Sequence, residues 1–332
     1  MSMKVFVTGG AGYIGSHVVR HLLRAGHDVL VYDNLSTGHR QAITSVPLAL
    51  GDLTDTPRLR QALSDYRPDA VMHFAGLISV SESARQPERY FRVNTLAGLS
   101  LLSLMRDLAI PRIVFSSTAA VYGAPREVPI PESHPLAPIS PYGASKLAFE
   151  HMLSAFSHAH GLGFIALRYF NAAGADPAAD IGEDHPDESH LIPLVLRAAL
   201  HGGPPLNVFG NRYPTPDGTC VRDYIHVADL ANAHLLALES NVAGVHRVLN
   251  LGSGEGFSVR EVIDVCREVT GHPIPDVVAP RRAGDPAVLV ASSEKAVSEL
   301  GWTPIRTELR TIVEDAWAFT SALGDRAHSA RR

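Results

Sequence analysis

The stretch Val5-Phe6-Val7-Thr8-Gly9-Gly10-Ala11-Gly12-Tyr13-Ile14-Gly15 decides the fold that this sequence predicts. The apolar residues before Thr8 are typical of a buried strand, and apolar residues at helical spacing follow from Ile14 onward. Between these two patterns, Gly9, Gly12 and Gly15 have the spacing G-x-x-G-x-x-G. Such glycines let the backbone turn sharply and approach a pyrophosphate closely, and the following helix offers free N–H groups at its N-terminus. The stretch therefore predicts a dinucleotide-binding βα unit.

A carboxylate at the end of the next predicted strand indicates which dinucleotide is bound. Residues 28–33 read as a strand that ends in Asp33, about 20 residues beyond the glycines, where an acid accepts hydrogen bonds from the adenosine ribose hydroxyls. The same negative charge would repel a 2′-phosphate. No arginine directly follows Asp33, since the next residues are Asn34-Leu35-Ser36. The sequence therefore favours NAD over NADP as the cofactor.

Strand-like and helical patterns alternate through the first half of the chain. Strands are predicted at 5–8, 29–33, 47–50, 70–74, 113–116 and 164–167, with amphipathic stretches at 13–25, 56–65, 88–109 and 143–160. This alternation predicts the α/β class, with a doubly wound parallel Rossmann sheet and a smaller α/β substrate-binding domain. We place the NAD-binding domain at 1–175, joined by parts of 226–252, the substrate-binding domain at 176–322, and a disordered tail at 323–332.

The composition is that of an ordinary globular protein. Of the 332 residues, 45% are hydrophobic and 19% charged, and the formal net charge is −5, which favours neither a nucleic-acid surface nor a basic membrane-binding face. No apolar run is long enough to span a bilayer, and a first strand that begins at Lys4 leaves no room for a signal peptide. Cys220 and Cys266 lack a C-x-x-C spacing, which predicts free thiols in a reducing cytoplasm. The 17 histidines show neither H-E-x-x-H nor a compact His/Cys spacing, so no metal is expected.

The segment Tyr142-Gly143-Ala144-Ser145-Lys146 carries the predicted proton chemistry. Its Y-x-x-x-K spacing places the phenol and the ammonium on one face of a helix. A free tyrosine has a pKa of about 10 and is a poor base at neutral pH. A neighbouring ammonium, together with a bound nicotinium ring, would favour the phenolate and lower that pKa. Tyr142 is therefore the candidate base, and Lys146 the group that adjusts it.

A hydroxyl group at the end of the fifth predicted strand supplies a third candidate. Thr118 follows Ser116 and Ser117 at this strand end. Ligands of doubly wound folds bind at the carboxyl ends of the parallel strands. The Thr118 hydroxyl can therefore hydrogen-bond a substrate oxygen and relay its proton to Tyr142.

These residues together resemble the extended short-chain dehydrogenase/reductase superfamily and, within it, the UDP-glucose (UDP-galactose) 4-epimerase family. The resemblance runs from about residue 4 to about residue 319. Several of its most specific segments lie outside the nucleotide-binding half and therefore concern the substrate. The matching segments are residues 7–17, 32–36, 73–76, 167–171, 209–211, 213–215, 217–219, 221–227 and 279–282.

The resemblance implies which residues hold the two ligands. The implied cofactor-binding residues are Gly9, Gly12, Tyr13, Ile14, Gly15, Asp33, Asn34, Asp52, Leu53, Phe74, Ala75, Gly76, Asn94, Ser116, Tyr142, Lys146 and Tyr169. The implied substrate-binding residues are Asn171, His190, Leu191, Asn207, Phe209, Arg222, Tyr224, Arg282, Asp285 and Leu289. The chemistry supports Arg222 and Arg282 directly, because a guanidinium group matches the oxygens of a diphosphate.

The resemblance also implies the reaction. Tyr142 would remove the proton of the sugar 4-hydroxyl while hydride passes from C4 to the nicotinamide, Thr118 would bind the 4-oxygen, and the 4-keto sugar would rotate and regain hydride on its other face. Lys146 would lower the pKa of Tyr142 and hold the nicotinamide ribose. Pairing of the helical patterns at 88–109 and 143–160 between two subunits implies a homodimer.

Three positions depart from the family pattern. Ile78 stands where many members carry a lysine near the cofactor, and His190 stands where asparagine is common beside the nucleotide. Leu289 stands where some members carry a tyrosine that guards the sugar pocket. A smaller side chain there could admit a 2-N-acetyl sugar, so interconversion of UDP-GlcNAc and UDP-GalNAc stays open.

Other functions remain as alternatives. Epimerases of UDP-pentoses or UDP-uronates share the same machinery. A nucleotide-sugar 4,6-dehydratase needs an additional acid/base pair, whereas Ala119 and Ala120 follow Thr118 here and transfer no proton. A net dehydrogenase would release NADH, and a non-catalytic NAD-sensing protein would not need both Tyr142 and Lys146.

Overall fold

The computed structural model describes residues 2–178, 180–282 and 285–329. The strands are β1 (Lys4–Thr8), β2 (Asp28–Asp33), β3 (Leu48–Leu50), β4 (Ala70–His73), β5 (Arg112–Thr118), β6 (Gly163–Tyr169), β7 (Asn171–Ala173), β8 (Leu206–Phe209), β9 (Val221–Arg222), β10 (Tyr224–His226), β11 (His246–Leu251), β12 (Phe257–Ser258), β13 (Asp276–Ala279) and β14 (Val288–Leu289). The helices are α1 (Tyr13–Arg24), α2 (Thr56–Tyr66), α3 (Val80–Arg85), α4 (Pro87–Tyr90), α5 (Ala97–Asp107), α6 (Pro141–His160), α7 (Leu191–His201), α8 (Val227–Ser240), α9 (Val259–Thr270), α10 (Glu294–Leu300) and α11 (Leu309–Ser329).

A seven-stranded parallel sheet organises the described residues of the first half. Its strand order is β11-β6-β5-β4-β1-β2-β3, and every neighbouring pair is parallel. Its central strands β1, β4 and β5 are buried on both faces, as apolar runs such as the one in β1 predict, whereas the edge strand β3 is partly exposed. The predicted α/β class with a doubly wound Rossmann sheet is therefore confirmed. The order of the strands reverses between β1 and β4, which opens a ligand crevice at their carboxyl ends.

A later segment of the chain adds a strand and a helix to this part of the structure. β11 pairs in parallel with β6 along residues 246–251, and α8 packs against α1. The remaining elements form a smaller α/β unit in which α7, α9 and α11 enclose a separate apolar cluster beside the β8–β13 pair. Both cysteines are free and buried. None of the helices in the described part of the chain combines the length and apolar character that crossing a bilayer requires.

Two helical regions differ from the sequence prediction. The stretch 88–109, predicted as one helix, contains α4, a π-helical turn over Phe91–Leu96, and α5. The π turn contains Asn94, whose side chain bonds a loop instead of facing solvent. At the other end, α11 continues to Ser329, whereas a disordered tail is expected from residue 323; residues 330–332 lie outside the described residues. The single glycine in that segment costs a helix only about 1 kcal/mol.

Helix α6 has strong signals at both ends. The Ser140 side chain accepts a hydrogen bond from the Gly143 N–H, Pro141 occupies the first turn, and Gly161 ends the helix with φ = +70°. Tyr142, Lys146 and Glu150 follow one another at intervals of four residues. They therefore share the face of α6 that packs on the sheet.

A buried ion pair joins this face of α6 to the sheet. Arg168 on β6 donates from Nε to Glu150 Oε1 at 3.0 Å and from Nη2 to Oε2 at 2.5 Å, and both side chains are about 95% buried. Arg168 also donates from Nη1 to the Tyr122 hydroxyl at 3.0 Å, and Tyr122 donates to Asn250 Oδ1 on β11. A bidentate pair with every partner satisfied fixes the rotation of α6 about its axis.

We predict that Glu150→Gln destabilises the protein by about 3–5 kcal/mol, because the buried Arg168 guanidinium then lacks a carboxylate. The measurement is urea unfolding followed by circular dichroism. The matched control is Glu268→Gln, which removes an exposed partner of Arg310 and is expected to cost less than about 1 kcal/mol. Equal shifts of the two midpoints would contradict the structural role of the buried pair.

Candidate active site

The glycine-rich turn forms a compact cradle at the end of β1. A Cβ on Gly15 would lie 2.2 Å from the Gly9 carbonyl oxygen, and a Cβ on Gly9 would lie 2.4 Å from the Ala75 nitrogen. Gly9 also has φ = +71°, a conformation that glycine adopts without strain. In contrast, a Cβ on Gly12 would meet its nearest atom, the Gly9 oxygen, at 3.4 Å. Gly9 and Gly15 therefore allow backbone segments to pack closely, whereas Gly12 leaves its open side free for a ligand.

Asp33 ties the end of β2 to this turn. Its Oδ2 accepts from the Ala11 N–H at 3.0 Å and its Oδ1 accepts from the Leu35 N–H at 2.8 Å. Each carboxylate oxygen has a second lone pair, which can accept a ribose hydroxyl. Beyond it, the Asn34 amide donates to Asp52 Oδ2 at 2.6 Å. Burial raises the pKa of Asp52, but hydrogen bonds from Thr54 and Asn34 outweigh this effect and lower it.

The loop after β4 brings the predicted nicotinamide side next to Lys146. Ala75 donates its N–H to the Thr8 carbonyl, and the Phe74 ring packs 4.9 Å from the His234 ring. A Cβ on Gly76 would lie 3.0 Å from Asn94 Oδ1 and 3.6 Å from Lys146 Nζ. Asn94 accepts from the Leu77 N–H at 2.8 Å and donates to the Leu77 carbonyl at 3.0 Å. Asn94 therefore holds this loop in place.

Tyr142, Thr118 and Lys146 meet at the carboxyl end of β5. The Thr118 side chain lies close enough to the Tyr142 phenol to lower its pKa in part. Lys146 donates from Nζ to the Ser116 carbonyl at 2.9 Å, and its Nζ lies 4.9 Å from the centre of the Phe115 ring. The Lys146 ammonium thus borders the space beside Gly76, and the Tyr142 phenol lies one helical turn earlier on α6, next to the Thr118 hydroxyl.

The electrostatics of this pair differ in part from the sequence expectation. Burial raises the pKa of Tyr142, and the neighbouring Thr118 side chain lowers it in part. Burial lowers the pKa of Lys146 to about 8, although the charge of Glu150 opposes this shift. The surroundings of Tyr142 therefore raise its pKa, where the sequence predicts a lowered one. The reason is that desolvation of the phenolate exceeds the contribution of the neighbouring groups.

The other predicted cofactor residues surround this core. Tyr169 and Ser116 share a hydrogen bond between their hydroxyl groups. Tyr13 donates its hydroxyl to the Gly174 carbonyl at 2.8 Å, and burial raises its pKa, as do the charges of Glu183 and Glu188. The two aliphatic members have largely apolar surroundings: Leu53 is buried against the sheet, and Ile14 packs half-buried against the core.

A second group of predicted residues gathers in the smaller unit. Arg222 donates to Asp285 Oδ1, and the Tyr213 hydroxyl donates to Asp285 Oδ2 at 3.4 Å. The Arg282 guanidinium lies 3.8 Å from the centre of the Phe209 ring. Two arginines beside an aromatic ring suit an anionic group attached to a planar base. Asn207 shares the face of β8 that carries Phe209, since the intervening Val208 is buried.

Leu289 and Asn171 connect this group to the catalytic side. Half-buried Leu289 on β14 pairs in register with Arg222 and packs on the apolar cluster that contains Ala119, Tyr122 and Leu147. Asn171 donates from Nδ2 to the Asp223 carbonyl at 2.9 Å. The structure therefore places Leu289 between the predicted diphosphate residues and the end of β5.

Three further predicted substrate residues make contacts within the protein. Tyr224 is buried in the apolar cluster of the smaller unit, and burial raises its pKa. Leu191 packs against the same cluster from the first turn of α7. His190 precedes α7 and bonds Glu183 at 2.6 Å. Burial lowers the pKa of His190, but its bonds with Glu183 and Glu188 outweigh this effect and raise it to about 10.

Sequence reasoning missed the residues that support the catalytic helix. Glu150, Arg168, Tyr122 and Asn250 form the buried network behind Lys146. The sequence contained one signal for Glu150, because this residue lies four positions after Lys146, just as Lys146 lies four positions after Tyr142. Its partner on β6 is 18 residues away, and no local spacing indicates it.

Comparison with known proteins identifies relatives along nearly the whole chain. The model of the NAD dependent epimerase/dehydratase family matches residues 5–252. A UDP-glucose 4-epimerase from Corynebacterium glutamicum is 55% identical over 331 residues, which cover 99% of each chain.

Solved structures of similar proteins contain the ligands that the site chemistry suggests. The UDP-glucose 4-epimerase of Bifidobacterium longum, in complex with NAD+ and UDP, is 36% identical, with a TM-score of 0.93, and the match covers 97% of this chain and 99% of that one. The enzyme from Stenotrophomonas maltophila, with bound NAD and formylated UDP-arabinopyranose, is 39% identical, with a TM-score of 0.93, and the match covers 98% and 99%.

We predict opposite behaviour for two alanine substitutions in the same turn. Gly15→Ala forces its Cβ against the Gly9 carbonyl, so it should lower both the melting temperature and the NAD content. Gly12→Ala has room within the protein and should keep the melting temperature of the NAD-free chain, but lose NAD because its methyl group occupies the open side of the cradle. The measurements are thermal unfolding and NAD released per chain on denaturation. Full NAD content in Gly12→Ala would contradict this assignment.

Proposed function

Because the chain belongs to the NAD dependent epimerase/dehydratase family, we propose that it is a UDP-glucose 4-epimerase that interconverts UDP-glucose and UDP-galactose through a 4-keto sugar. The observation that carries this proposal is the convergence of Tyr142, Thr118 and Lys146 at the end of β5, beside the glycine cradle. The curated relatives over 95–99% of the chain are UDP-glucose 4-epimerases.

The residues present fit NAD. The cradle leaves Gly12 open where a pyrophosphate approaches, the N-terminus of α1 follows directly, and Asp33 keeps lone pairs for a ribose. Asn34, Asp52 and Leu53 line the adenine end, whereas Phe74, Ala75, Gly76, Asn94, Ser116 and Tyr169 surround the nicotinamide end. When bound, NAD supplies the reversible acceptor for the hydride at C4 of the sugar.

The protein's own groups handle the proton. The Tyr142 phenolate oxygen takes the proton of the sugar 4-hydroxyl, becomes the neutral phenol and later returns the proton, while Thr118 Oγ1 hydrogen-bonds the same sugar oxygen. Lys146 stabilises the phenolate through its positive charge, and its Nζ would also hold the nicotinamide ribose of bound NAD. Burial of Lys146 and the hydrogen bond to Ser116 restrict its ammonium to this place.

The smaller unit binds the nucleotide end of the substrate. Arg222 and Arg282 clamp the diphosphate, and Asp285 aligns Arg222. Phe209 offers its ring to the uracil, and Asn207 lies on the same face of β8. Asn171 reaches the diphosphate from the joint between the two units. Anchoring at this end leaves the sugar as the mobile part, which an inversion at C4 requires.

A second substrate class is favoured by one observation. Leu289 stands half-buried between the diphosphate arginines and the end of β5, where a larger side chain would fill space beside the sugar. We therefore propose that 2-N-acetylated UDP-sugars are accepted as well. UDP-pentoses are smaller at C5 and meet no obstacle from this residue.

We propose a cytoplasmic homodimer. The π turn and α5 expose Phe91, Leu96 and Leu99, with exposed fractions of 38%, 59% and 39%, and this apolar stripe suits a second copy of the same helices. The two free cysteines are consistent with a reducing compartment. Analytical ultracentrifugation distinguishes the dimer from a monomer.

We predict that Tyr142→Phe lowers kcat by 10²- to 10⁴-fold, the usual range for loss of a general base, and retains NAD. The assay is UDP-galactose formation from UDP-glucose without added NAD. Tyr66→Phe, on α2, is the matched control and should keep full turnover. Unchanged turnover in Tyr142→Phe would contradict the proposed function.

We predict that Leu289→Tyr lowers kcat/KM for UDP-GlcNAc at least tenfold relative to UDP-glucose, because the larger ring takes the space of the acetyl group. Leu289→Met, which conserves volume, serves as the control. The ratio of the two kcat/KM values is the measurement. The same ratio in all three proteins would show that Leu289 does not determine substrate choice.

A further inference from the structure

Four potential metal ligands converge in the segment that precedes α7. Glu183, His185, Glu188 and His190 each direct one ligand atom into a common space, and these four atoms all lie within 4.8 Å of one another. This arrangement differs from the sequence expectation of no compact ligand set. The spacing is E-x-H-x-x-E-x-H, in which a carboxylate is twice followed, two residues later, by an imidazole.

From this geometry we propose a structural zinc site formed by Glu183, His185, Glu188 and His190. The proposal does not rest on the proposed function, because none of the distances involves the sugar or the cofactor. Two imidazole nitrogens and two carboxylate oxygens are a ligand set that tetrahedral Zn²⁺ accepts.

Three imidazole–carboxylate distances in this cluster match the ligand spacing of four-coordinate zinc. With bonds of 2.0–2.2 Å, two ligands of a tetrahedral zinc ion lie about 3.4 Å apart. His185 Nδ1 lies 3.4 Å from Glu183 Oε1 and 3.4 Å from Glu188 Oε2, and His190 Nδ1 lies 3.4 Å from Glu188 Oε1. A further contact, from His190 Nδ1 to Glu183 Oε1, is 2.6 Å long and would lengthen by roughly 0.8 Å on metal binding. The two imidazoles meet different oxygens of Glu188, so one of these two contacts would also change when a single Glu188 oxygen binds the ion.

The charges also balance with a divalent cation. The Glu183 and Glu188 side chains are only 6% and 1% exposed, and two buried carboxylates this close repel each other unless a positive charge lies between them. Two carboxylates and two neutral imidazoles around Zn²⁺ give a neutral site. The alternative is a set of His–Glu ion pairs without metal, in which protonated imidazoles supply the positive charge.

Neighbouring groups hold the ligands as an outer shell would. Glu188 Oε1 accepts from the Ser189 and His190 N–H groups at 2.7 and 2.8 Å. Arg197 donates to the His185 carbonyl at 2.9 Å and to Asp184 Oδ1 at 3.1 Å. Such contacts orient metal ligands before binding and reduce the entropy lost on coordination.

The position of the cluster indicates a structural role. Its segment follows Gly174, to which Tyr13 of the glycine cradle donates, and contacts α1 through Arg20 and Asp180 at 2.6 Å. It then leads directly into α7 of the smaller unit. Zinc at this joint would fix the segment between the cofactor cradle and the nucleotide-sugar unit.

Zinc titration of the full-length protein without a histidine tag tests the proposal. After treatment with EDTA and its removal, isothermal titration with Zn²⁺ should show one equivalent per chain, bound with submicromolar Kd, and Zn²⁺ should raise the melting temperature by several degrees. Co²⁺ in its place should give the visible absorption of a four-coordinate ion. Binding of less than about 0.2 equivalents of zinc per chain at micromolar Zn²⁺ would overturn the proposal. The cluster would then be a set of simple His–Glu ion pairs.

Substitutions locate the ion. His190→Gln and His185→Gln should each weaken zinc binding at least 100-fold, whereas His158→Gln, which alters an exposed histidine of α6, should leave it unchanged. His190 is 44% exposed, so its substitution leaves the packing intact, and circular dichroism checks folding. Equal zinc affinity in the His158 and His190 variants would place the ion elsewhere and overturn the proposal. Epimerase turnover, measured separately, has no bearing on either readout.

Discussion

The buried pair between Glu150 and Arg168 is the interaction on which the arrangement of the catalytic groups depends. A helix lying on a sheet can rotate about its axis at little cost when its contacts are only apolar. Bidentate bonding of Glu150 by Arg168 removes this freedom, since both side chains are enclosed and lose their partners on rotation. Lys146 lies one helical turn before Glu150, and Tyr142 lies two turns before it. The Glu150–Arg168 pair therefore orients both side chains toward the end of β5.

A second buried carboxylate fixes the joint between the two units. Asp223 accepts from the Ser253 N–H at 2.8 Å, the Gly254 N–H at 3.2 Å and the Ala291 N–H at 3.1 Å. Burial raises the pKa of Asp223, although these hydrogen bonds oppose the shift. One side chain thus connects the strand that carries Arg222 with the segment after β11 and with the end of β14. Asp223 therefore fixes the position of Arg222 relative to the segments that follow β11 and β14.

The sequence predicts those parts of the site that depend on local spacing. Gly9, Gly12 and Gly15, the strand-end Asp33, and the Tyr142–Lys146 pair each have a signature within about 20 residues, and the Rossmann sheet follows from the alternation of elements. The supporting contacts join distant segments: Asn94 holds the loop at Leu77, and Arg168 finds Glu150 across α6 and β6. The sequence pattern likewise does not predict the π turn around Asn94, because the spacing of apolar residues in that turn resembles the spacing in an α-helix.

The arrangement also explains how a buried lysine stays available to the reaction. The charge of Glu150 raises the pKa of Lys146, against the larger effect of burial. The two oxygens of Glu150, however, already accept hydrogen bonds from Arg168 and from the Ser117 hydroxyl. Lys146 instead bonds a neutral carbonyl and faces the Phe115 ring. Among the described residues, no carboxylate hydrogen-bonds this ammonium, which borders the space beside Gly76. The pair that orients the helix thus leaves the Lys146 ammonium without a carboxylate hydrogen bond, and in the proposed reaction this charge favours a Tyr142 phenolate whose pKa burial raises.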